Sequence, residues 1–370
     1  MKRRTELRRE TRRLTQGETS PASKGRRTLT SVADLAAAGL LSPEAASRLA
    51  AVERRYSVAV TAQIAALIDL GDPADPIGRQ FLPDIRELEI RPAERADPIG
   101  DAAHSALPGL VHRYPDRVLL KLLSVCPVYC RFCFRRETVG RGKGDVLSRE
   151  AVAAALNYVA ARPAIREVIL TGGDPLIAPA RRLAAVSVRL AEIPHVTLLR
   201  VHTRAPTAAP DLVTPARLQA LAASGKTLRV ALHVNHAREL SENARVAIAR
   251  LRETGAELLS QTVLLKGVND DAATLAALIR ELCALGIAPY YLHHPDLAPG
   301  TGRFRFSLAR GRALYAELAK LVSPAALPRY VLDIPGGFGK IPLDGASAVP
   351  LPGGGWRVLD RDGRAHDYPD

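Results

Sequence analysis

Cysteine is scarce in this sequence, four in 370 residues, beside one methionine and one tryptophan. A disulfide framework spreads its cysteines along a small secreted chain, but three of these four fall within eight residues. Such clustering argues for a metal instead. No apolar run approaches the roughly 20 residues a membrane span needs, because charges or prolines interrupt each one. The arginine-rich N-terminus lacks the apolar stretch of a secretory signal, so a cytoplasmic location is expected. A full phosphate-binding P-loop consensus is absent as well, which removes the simplest case for nucleotide hydrolysis. Aromatics make up 4%, yet hydrophobic residues reach 47%. The core is therefore built from Ala, Leu and Val, and wholesale disorder is excluded.

What is abundant is positive charge, a net +14. That figure suggests nucleic acid, but its placement argues otherwise. Residues 1–27 carry ten Lys and Arg against three Glu, half of the excess, on a short arm. A solvated or frayed helical arm accounts for such a run, with an acidic partner or RNA as the competing reading. The remainder is ordinary for an enzyme that binds anionic cofactors.

The length suits one large α/β domain with a helical extension, or two modest domains. Residues 1–30 read as a basic, flexible arm. Residues 31–112 read as a helical region followed by a wrapping linker: SVADLAAAGL, then a helical stretch from Ser42 to Ile68, then Pro- and Asp-rich chain from about 71. Ser42 and Glu44 suit a helix start. From about 113 to 343, short β-forming runs alternate with stretches of helical period. Strands are expected at 117–123, 167–172, 196–203, 227–234, 258–265, 288–294 and 330–334. Helices are expected at 149–162, 179–193, 214–224, 242–255 and 271–286. This alternation implies a parallel sheet of βα units, a complete or partial barrel whose chemistry lies at the C-terminal ends of the strands. Residues 344–370 read as a tail.

Just after the first barrel strand stands CPVYCRFCFRR, with Cys126, Cys130 and Cys133. Three thiolates on one loop can hold three irons of a 4Fe-4S cubane and leave the fourth iron without a protein ligand. Tetrahedral zinc needs a fourth ligand, and no second cysteine pair supplies one. The spacing is the signature of the radical S-adenosylmethionine superfamily, against which a zinc loop or a chance cluster is the blander reading. At the end of the next strand comes TGGDP. Gly172 and Gly173 permit close backbone approach, and Asp174 offers a carboxylate to an ammonium group. Near the C-terminus, DIPGGFGK places Lys340 beside Gly336, Gly337 and Gly339. A lysine held in such a loop can form a Schiff base with pyridoxal 5'-phosphate, although glycine-rich turns ending in Lys are mostly inert.

Together these segments resemble the lysine 2,3-aminomutase family of radical S-adenosylmethionine, pyridoxal phosphate enzymes. The resemblance runs from about residue 31 to 370, through LVHRYPDRVLL, CPVYCRFCFRR, ILTGGDPL, AEIPHVTLLRVHTRAP, LHVNHAREL, SQTVLLKGVND, PYYLHHPDL and DIPGGFGK. It implies a partial (βα)6-type barrel with an N-terminal helical extension that assists oligomer contacts. By that match Lys340 carries pyridoxal phosphate, and Arg113, Tyr114 and Arg117 belong to a cofactor-contacting segment, with His233 and Gln261 beside them. It further implies that Gly172, Gly173 and Asp174 meet S-adenosylmethionine, and that Arg135 clamps the α-carboxylate of L-lysine. Asp296 and Asp333 would receive the ε-ammonium. A buried ammonium costs several kcal/mol unless paired, so a lysine pocket requires such carboxylates. The blander alternative is that Asp296 caps a loop and Asp333 ends a strand.

The sequence also departs from the family. Phe338 stands where another glycine is common, and Asp270 stands where one cysteine of a four-cysteine zinc set would be expected, so no zinc is expected. The missing zinc set and the basic arm lean toward the branch making (R)-β-lysine for elongation factor P. An aminomutase for another amino acid, a radical methyltransferase acting on RNA, and a non-enzymatic iron–sulfur regulator remain the rival readings.

Overall fold

The computed structural model describes residues 27–140, 142 and 146–369, so most of the expected basic arm lies outside the described residues. Ten strands form one sheet whose spatial order is the chain order. They are β1 (Ser105–Leu107), β2 (Leu110–Tyr114), β3 (Arg117–Leu123), β4 (Glu167–Gly172), β5 (Leu198–Thr203), β6 (Thr227–His233), β7 (Glu257–Val263), β8 (Ala288–His293), β9 (Arg329–Ile334) and β10 (Gly339–Pro342). Strands β3 to β9 run parallel. Antiparallel pairs flank them, β1–β2–β3 at one edge and β9–β10 at the other.

Six helices cross between the parallel strands: Arg149–Ala160, Ala180–Ala191, Pro215–Ala222, Glu242–Glu253, Ala272–Ala284 and Leu308–Leu318. Six βα units and a seventh strand in an open sheet are the partial barrel that the alternation implies. The expected strands at 117–123 and 167–172 coincide end to end with β3 and β4, and the others shift by one or two residues. β4 is easy to read because Val168, Ile169 and Leu170 are buried, covered on both faces.

The sequence expects one helical stretch from Ser42 to Ile68, and the structure divides it. Helix Pro43–Arg55 starts as expected, with the Ser42 hydroxyl accepting from the Ala45 amide. It stops at Tyr56, after which Val60 pairs with Leu29 in an isolated antiparallel bridge. The β-branched residues of SVAV prefer that extended chain, and a second helix begins only at Ala62. Helix Leu308–Leu318 was not anticipated, because Arg310, Gly311 and Arg312 interrupt its apolar period. Within 344–370 the chain forms a three-stranded antiparallel sheet, β11 (Ala348–Pro350), β12 (Trp356–Leu359) and β13 (Ala365–Tyr368). Trp356, Val358 and Tyr368 of this sheet join the core beneath β9 and β10.

The segment 76–104 runs across the C-terminal ends of the strands. The Arg95 amide donates to the Leu297 carbonyl at 2.8 Å, and the Gly300 amide donates to the Glu94 carboxylate at 2.9 Å. Among the described residues, no helix is long and apolar enough to cross a membrane.

Candidate active site

The cysteine loop leaves β3 and is fixed from two sides. On one side it meets the turn after β4. The Gly173 amide donates to the Leu123 carbonyl at 2.7 Å and the Asp174 amide to the Val125 carbonyl at 3.0 Å. A Cβ on Gly173 would stand 2.1 Å from the Val125 carbonyl oxygen, so only glycine fits this approach. On the other side, the N-terminal region clamps the loop. The Tyr129 amide donates to the Ala59 carbonyl at 3.1 Å, and the Arg131 amide to the Gln80 carbonyl at 2.8 Å. The Arg131 and Arg136 guanidiniums both bond Glu87, which is wholly buried. The sequence reading passed over Glu87, and the arginines flanking the cysteines were the available hint that a buried anion was needed.

All three loop cysteines are free thiols. Burial raises each thiol above its ordinary range, with neighbouring cysteines adding to the effect at Cys133, which is pushed up to about 11. Thiolates persist in such a place only beside cations, and iron supplies them. Among the described residues, no three His, Cys, Asp or Glu side chains converge on a single-ion site. Three thiols of one loop suit a cluster with one open iron. Cys283 lies exposed on the outer helix Ala272–Ala284, apart from this loop.

Asp174 is bonded by donors of the protein itself. It accepts from the Thr203 hydroxyl at 2.7 Å, and from the amides of Arg204 at 2.8 Å, Ala205 at 3.0 Å and Leu176 at 3.0 Å. Burial still pushes its carboxyl up. In this arrangement it ties the ends of β4 and β5 together. Gly172, at φ +106°, supplies the bend before it.

Lys340 is placed by register. In the β9–β10 hairpin Lys340 lies directly opposite Asp333, and its Nζ donates to Asp333 Oδ2 at 2.5 Å. The turn between the strands holds Gly336 and Gly337 at φ near +94° and +93°. It is packed hard against the segment before β1: a Cβ on Gly100 would stand 2.3 Å from the Gly337 nitrogen, and His104 Nε2 lies 2.9 Å from the Gly337 carbonyl. Gly339 faces the Tyr114 hydroxyl, which accepts from the Lys340 amide at 3.2 Å. Phe338 is exposed and stacks on His366 of β13, ring centroids 4.0 Å apart.

Of the residues expected to meet the cofactor, Arg113 and Tyr114 lie beside this hairpin. Arg113 donates to the Ile99 carbonyl at 2.5 Å and lies 3.9 Å from Asp333 Oδ1. Arg117 lies over the Tyr114 ring at 3.9 Å. Arg135 sends Nε and Nη2 to Asp101 Oδ2, each at 3.1 Å, and Nη1 to the Thr171 hydroxyl at 3.3 Å. Lys121 lies 3.6 Å from the same oxygen. With Arg113 3.5 Å from its other oxygen, Asp101 gathers three cations, and sequence reasoning missed it because one aspartate in a Pro- and Asp-rich linker has no spacing signature. Gln261 reaches His202 at 3.4 Å, and His233 packs on Phe132. Burial holds His202, His233 and His293 neutral, His293 down to about 3.

The acidic pair is electrostatically split. Burial, then the Asp333 charge, pushes Asp296 up to about 8. Burial also opposes ionisation of Asp333, but the Lys340 ammonium overcomes it and holds that carboxyl below its usual range. Among the described residues, Arg113, Lys121, Arg135 and Lys340 face Asp101 and Asp333, while burial and the Asp333 charge oppose ionisation of Asp296. The surplus favours anionic ligands. Arg113 Nε, His233 Nε2 and Asp333 Oδ1 are buried without a protein hydrogen-bond partner, which suits residues built to meet a ligand.

An open parallel barrel with a three-thiol loop after its first parallel strand defines a radical S-adenosylmethionine enzyme, working with a 4Fe-4S cluster and that cofactor; residues 120–279 match the Radical SAM superfamily. An Escherichia coli protein described as L-lysine 2,3-aminomutase is 38% identical over 309 residues, 82% of this chain and 89% of that one. Those of Fusobacterium nucleatum and Clostridium subterminale are each 35% identical, covering 85% and 82% of this chain and 74% and 72% of their own. The chain belongs to the lysine 2,3-aminomutase family and is a radical isomerase, an aminomutase.

Proposed function

We propose that this protein is an L-lysine 2,3-aminomutase, converting L-lysine to β-lysine with pyridoxal phosphate bound at Lys340. The observation that carries the reading is the seat of the Lys340 ammonium. Its Nζ rests on Asp333 at 2.5 Å, with Asp296 close enough for the Asp333 charge to oppose its ionisation. This is a site for an alkylammonium, and the ε-ammonium of a lysine substrate has the same chemistry.

Cys126, Cys130 and Cys133 would hold the cluster. Lys340 would hold pyridoxal phosphate, within reach of Arg113, Tyr114, Arg117, Gln261 and the glycine turn. When bound, the cluster with S-adenosylmethionine supplies a carbon-centred radical, and pyridoxal phosphate supplies the conjugated system that carries the migrating nitrogen. The chain's own contribution is position and exclusion. Arg135 presents a fork suited to the substrate carboxylate. Asp296 gives up its proton and joins Asp333 as a substrate ammonium arrives, since the added positive charge lowers its pKa. The segment 97–104, locked to the Gly337 turn, shields the strand ends from water.

The product's fate is a finer reading. Without a four-cysteine zinc set, the chain fits the branch that supplies (R)-β-lysine for elongation factor P. A homo-oligomer follows from the same resemblance.

The test is an anaerobic incubation of reconstituted protein with lysine, S-adenosylmethionine, pyridoxal phosphate and reductant, followed by chiral mass spectrometry. β-Lysine should appear, should vanish in Lys340→Ala and Cys130→Ala, and should be the R enantiomer. Cleavage of S-adenosylmethionine with lysine untouched would overturn the substrate assignment.

A further inference from the structure

Arg204, the first residue after β5, is not needed by anything described above, yet it is among the most constrained side chains in the molecule. Its Nη1 donates to Cys130 Sγ at 3.1 Å. Its Nη2 donates to Gln80 Oε1 and Glu239 Oε2, both at 2.7 Å. The guanidinium also lies against the rings of Phe81 and Phe132, at 4.6 and 5.4 Å. Gln80, Asn235 and Glu239 are all fully buried. They also bind one another: Gln80 Nε2 donates to Glu239 Oε1 at 3.2 Å, and Asn235 Nδ2 donates to Gln80 Oε1 at 2.9 Å. The Asn235 and His236 amides complete the shell of Glu239 at 3.0 and 3.1 Å. The backbone amide of Arg204 is held by Asp174. Chain from the helix Pro76–Phe81, the end of β5 and the loop after β6 thus fixes one cation against one thiol.

We propose that Arg204 is a positioning residue for the iron–sulfur cluster, aiming a permanent positive charge and an N–H at the Cys130 thiolate so that the cluster accepts an electron more readily. The inference rests on reading Cys130 as a cluster ligand. Reduction adds one electron from an external low-potential one-electron donor, and no protein bond forms or breaks. The added negative charge is stabilised by a nearby cation in a low-dielectric setting, and hydrogen bonds to cluster sulfurs raise the potential in the same direction. Glu239 opposes this, because its carboxylate offsets part of the Arg204 charge while anchoring the fork. Residues outside the ligand set commonly tune a metal centre in this way.

The experiment is a mediator redox titration of the reconstituted full-length protein, without S-adenosylmethionine or substrate, followed by electron paramagnetic resonance of the reduced cluster. Glu239→Gln keeps the shape of the network and removes the opposing charge, so its midpoint should move positive. Arg204→Gln placed on Glu239→Gln strands no buried charge, and its midpoint should fall below that of Glu239→Gln alone. A tenfold loss in the reduction equilibrium constant, about 59 mV for one electron, is the expected size. Equal midpoints in the single and double variants, at matched cluster content, would overturn the proposal. If the double variant loses its cluster, Glu239→Gln decides alone, and an unchanged or negative shift overturns it. A wild-type chain that takes up no cluster would instead remove the cysteine assignment on which the inference rests.

Discussion

The two halves of the site are built on opposite plans. The cluster loop is closed around buried ion pairs, with Arg131 and Arg136 on Glu87 and Arg204 on Glu239, and its backbone is pinned to Ala59, Gln80 and the β4 turn. The half around Lys340 holds a surplus of cations and a carboxyl pushed up to about 8 at Asp296. Buried ion pairs set geometry in advance, whereas an excess of one charge is stabilised by the ligand of opposite charge that binds to it. The cluster half is therefore preorganised, and the lysine half is a receptor.

The sharpest break of that contrast separates the two cofactors. Cys130→Ala should abolish both the cluster and turnover, while the visible imine absorbance of bound pyridoxal phosphate, and its loss on borohydride treatment, persists. Lys340→Ala should do the reverse, abolishing the imine and turnover while the cluster spectrum remains. Loss of both spectra in either variant would show the halves to be one folding unit.

Next in size is Glu87→Gln. It leaves three buried arginines, Arg131, Arg136 and Arg303, around a neutral group. Breaking a buried ion network from one side costs about 3–5 kcal/mol. The melting temperature and the iron content per chain should both fall, and iron retention at the wild-type level would sink the clamp reading.

The receptor half should answer oppositely in stability and in function. Asp296 has its folded pKa raised above the unfolded value, so the unfolded chain releases that proton first as pH rises. Its contribution therefore lowers the stability of the ligand-free protein as pH climbs from about 4 toward about 8. Asp296→Asn should remove this slope and stabilise the ligand-free protein at pH 8, by on the order of a few kcal/mol. The same change should raise KM for lysine about tenfold or more, which corresponds to about 1.4 kcal/mol. Calorimetry across pH 5–9, with KM measured at pH 8, checks both signs. The smallest effect is expected at the Phe338–His366 ring contact, where Phe338→Ala should cost about 1 kcal/mol or less in thermal stability.

Residue chemistry was legible in the sequence wherever spacing carries it. Cys126, Cys130 and Cys133 declare themselves by lying within one loop, whereas the glycine neighbours of Lys340 gain meaning only beside the family resemblance. The seven parallel strands were legible because a doubly covered strand such as β4 must be apolar along its length. Glu87, Asp101, Gln80 and Arg204 were not legible in their roles, since single polar residues in loops look alike until a partner is known. Arg131 lies 44 residues from Glu87, and Arg204 lies 124 from Gln80. The three strands of the C-terminal sheet were hidden for a related reason, being short, glycine-flanked and given sense only by the core they cover.

By itself, then, the sequence determined the barrel alternation and the clustered thiol set, because local period and spacing encode them, while Lys340, Asp296 and Asp333 stood out only through the family resemblance. The tertiary structure alone decided that Lys340 faces Asp333 across a hairpin, that Asp174 ties two strands together, and that a remote glutamate and glutamine hold the arginine at Cys130. Those outcomes depend on register and on burial. A polar group removed from water must find its partner wherever the fold brings one, and no local pattern records where that will be.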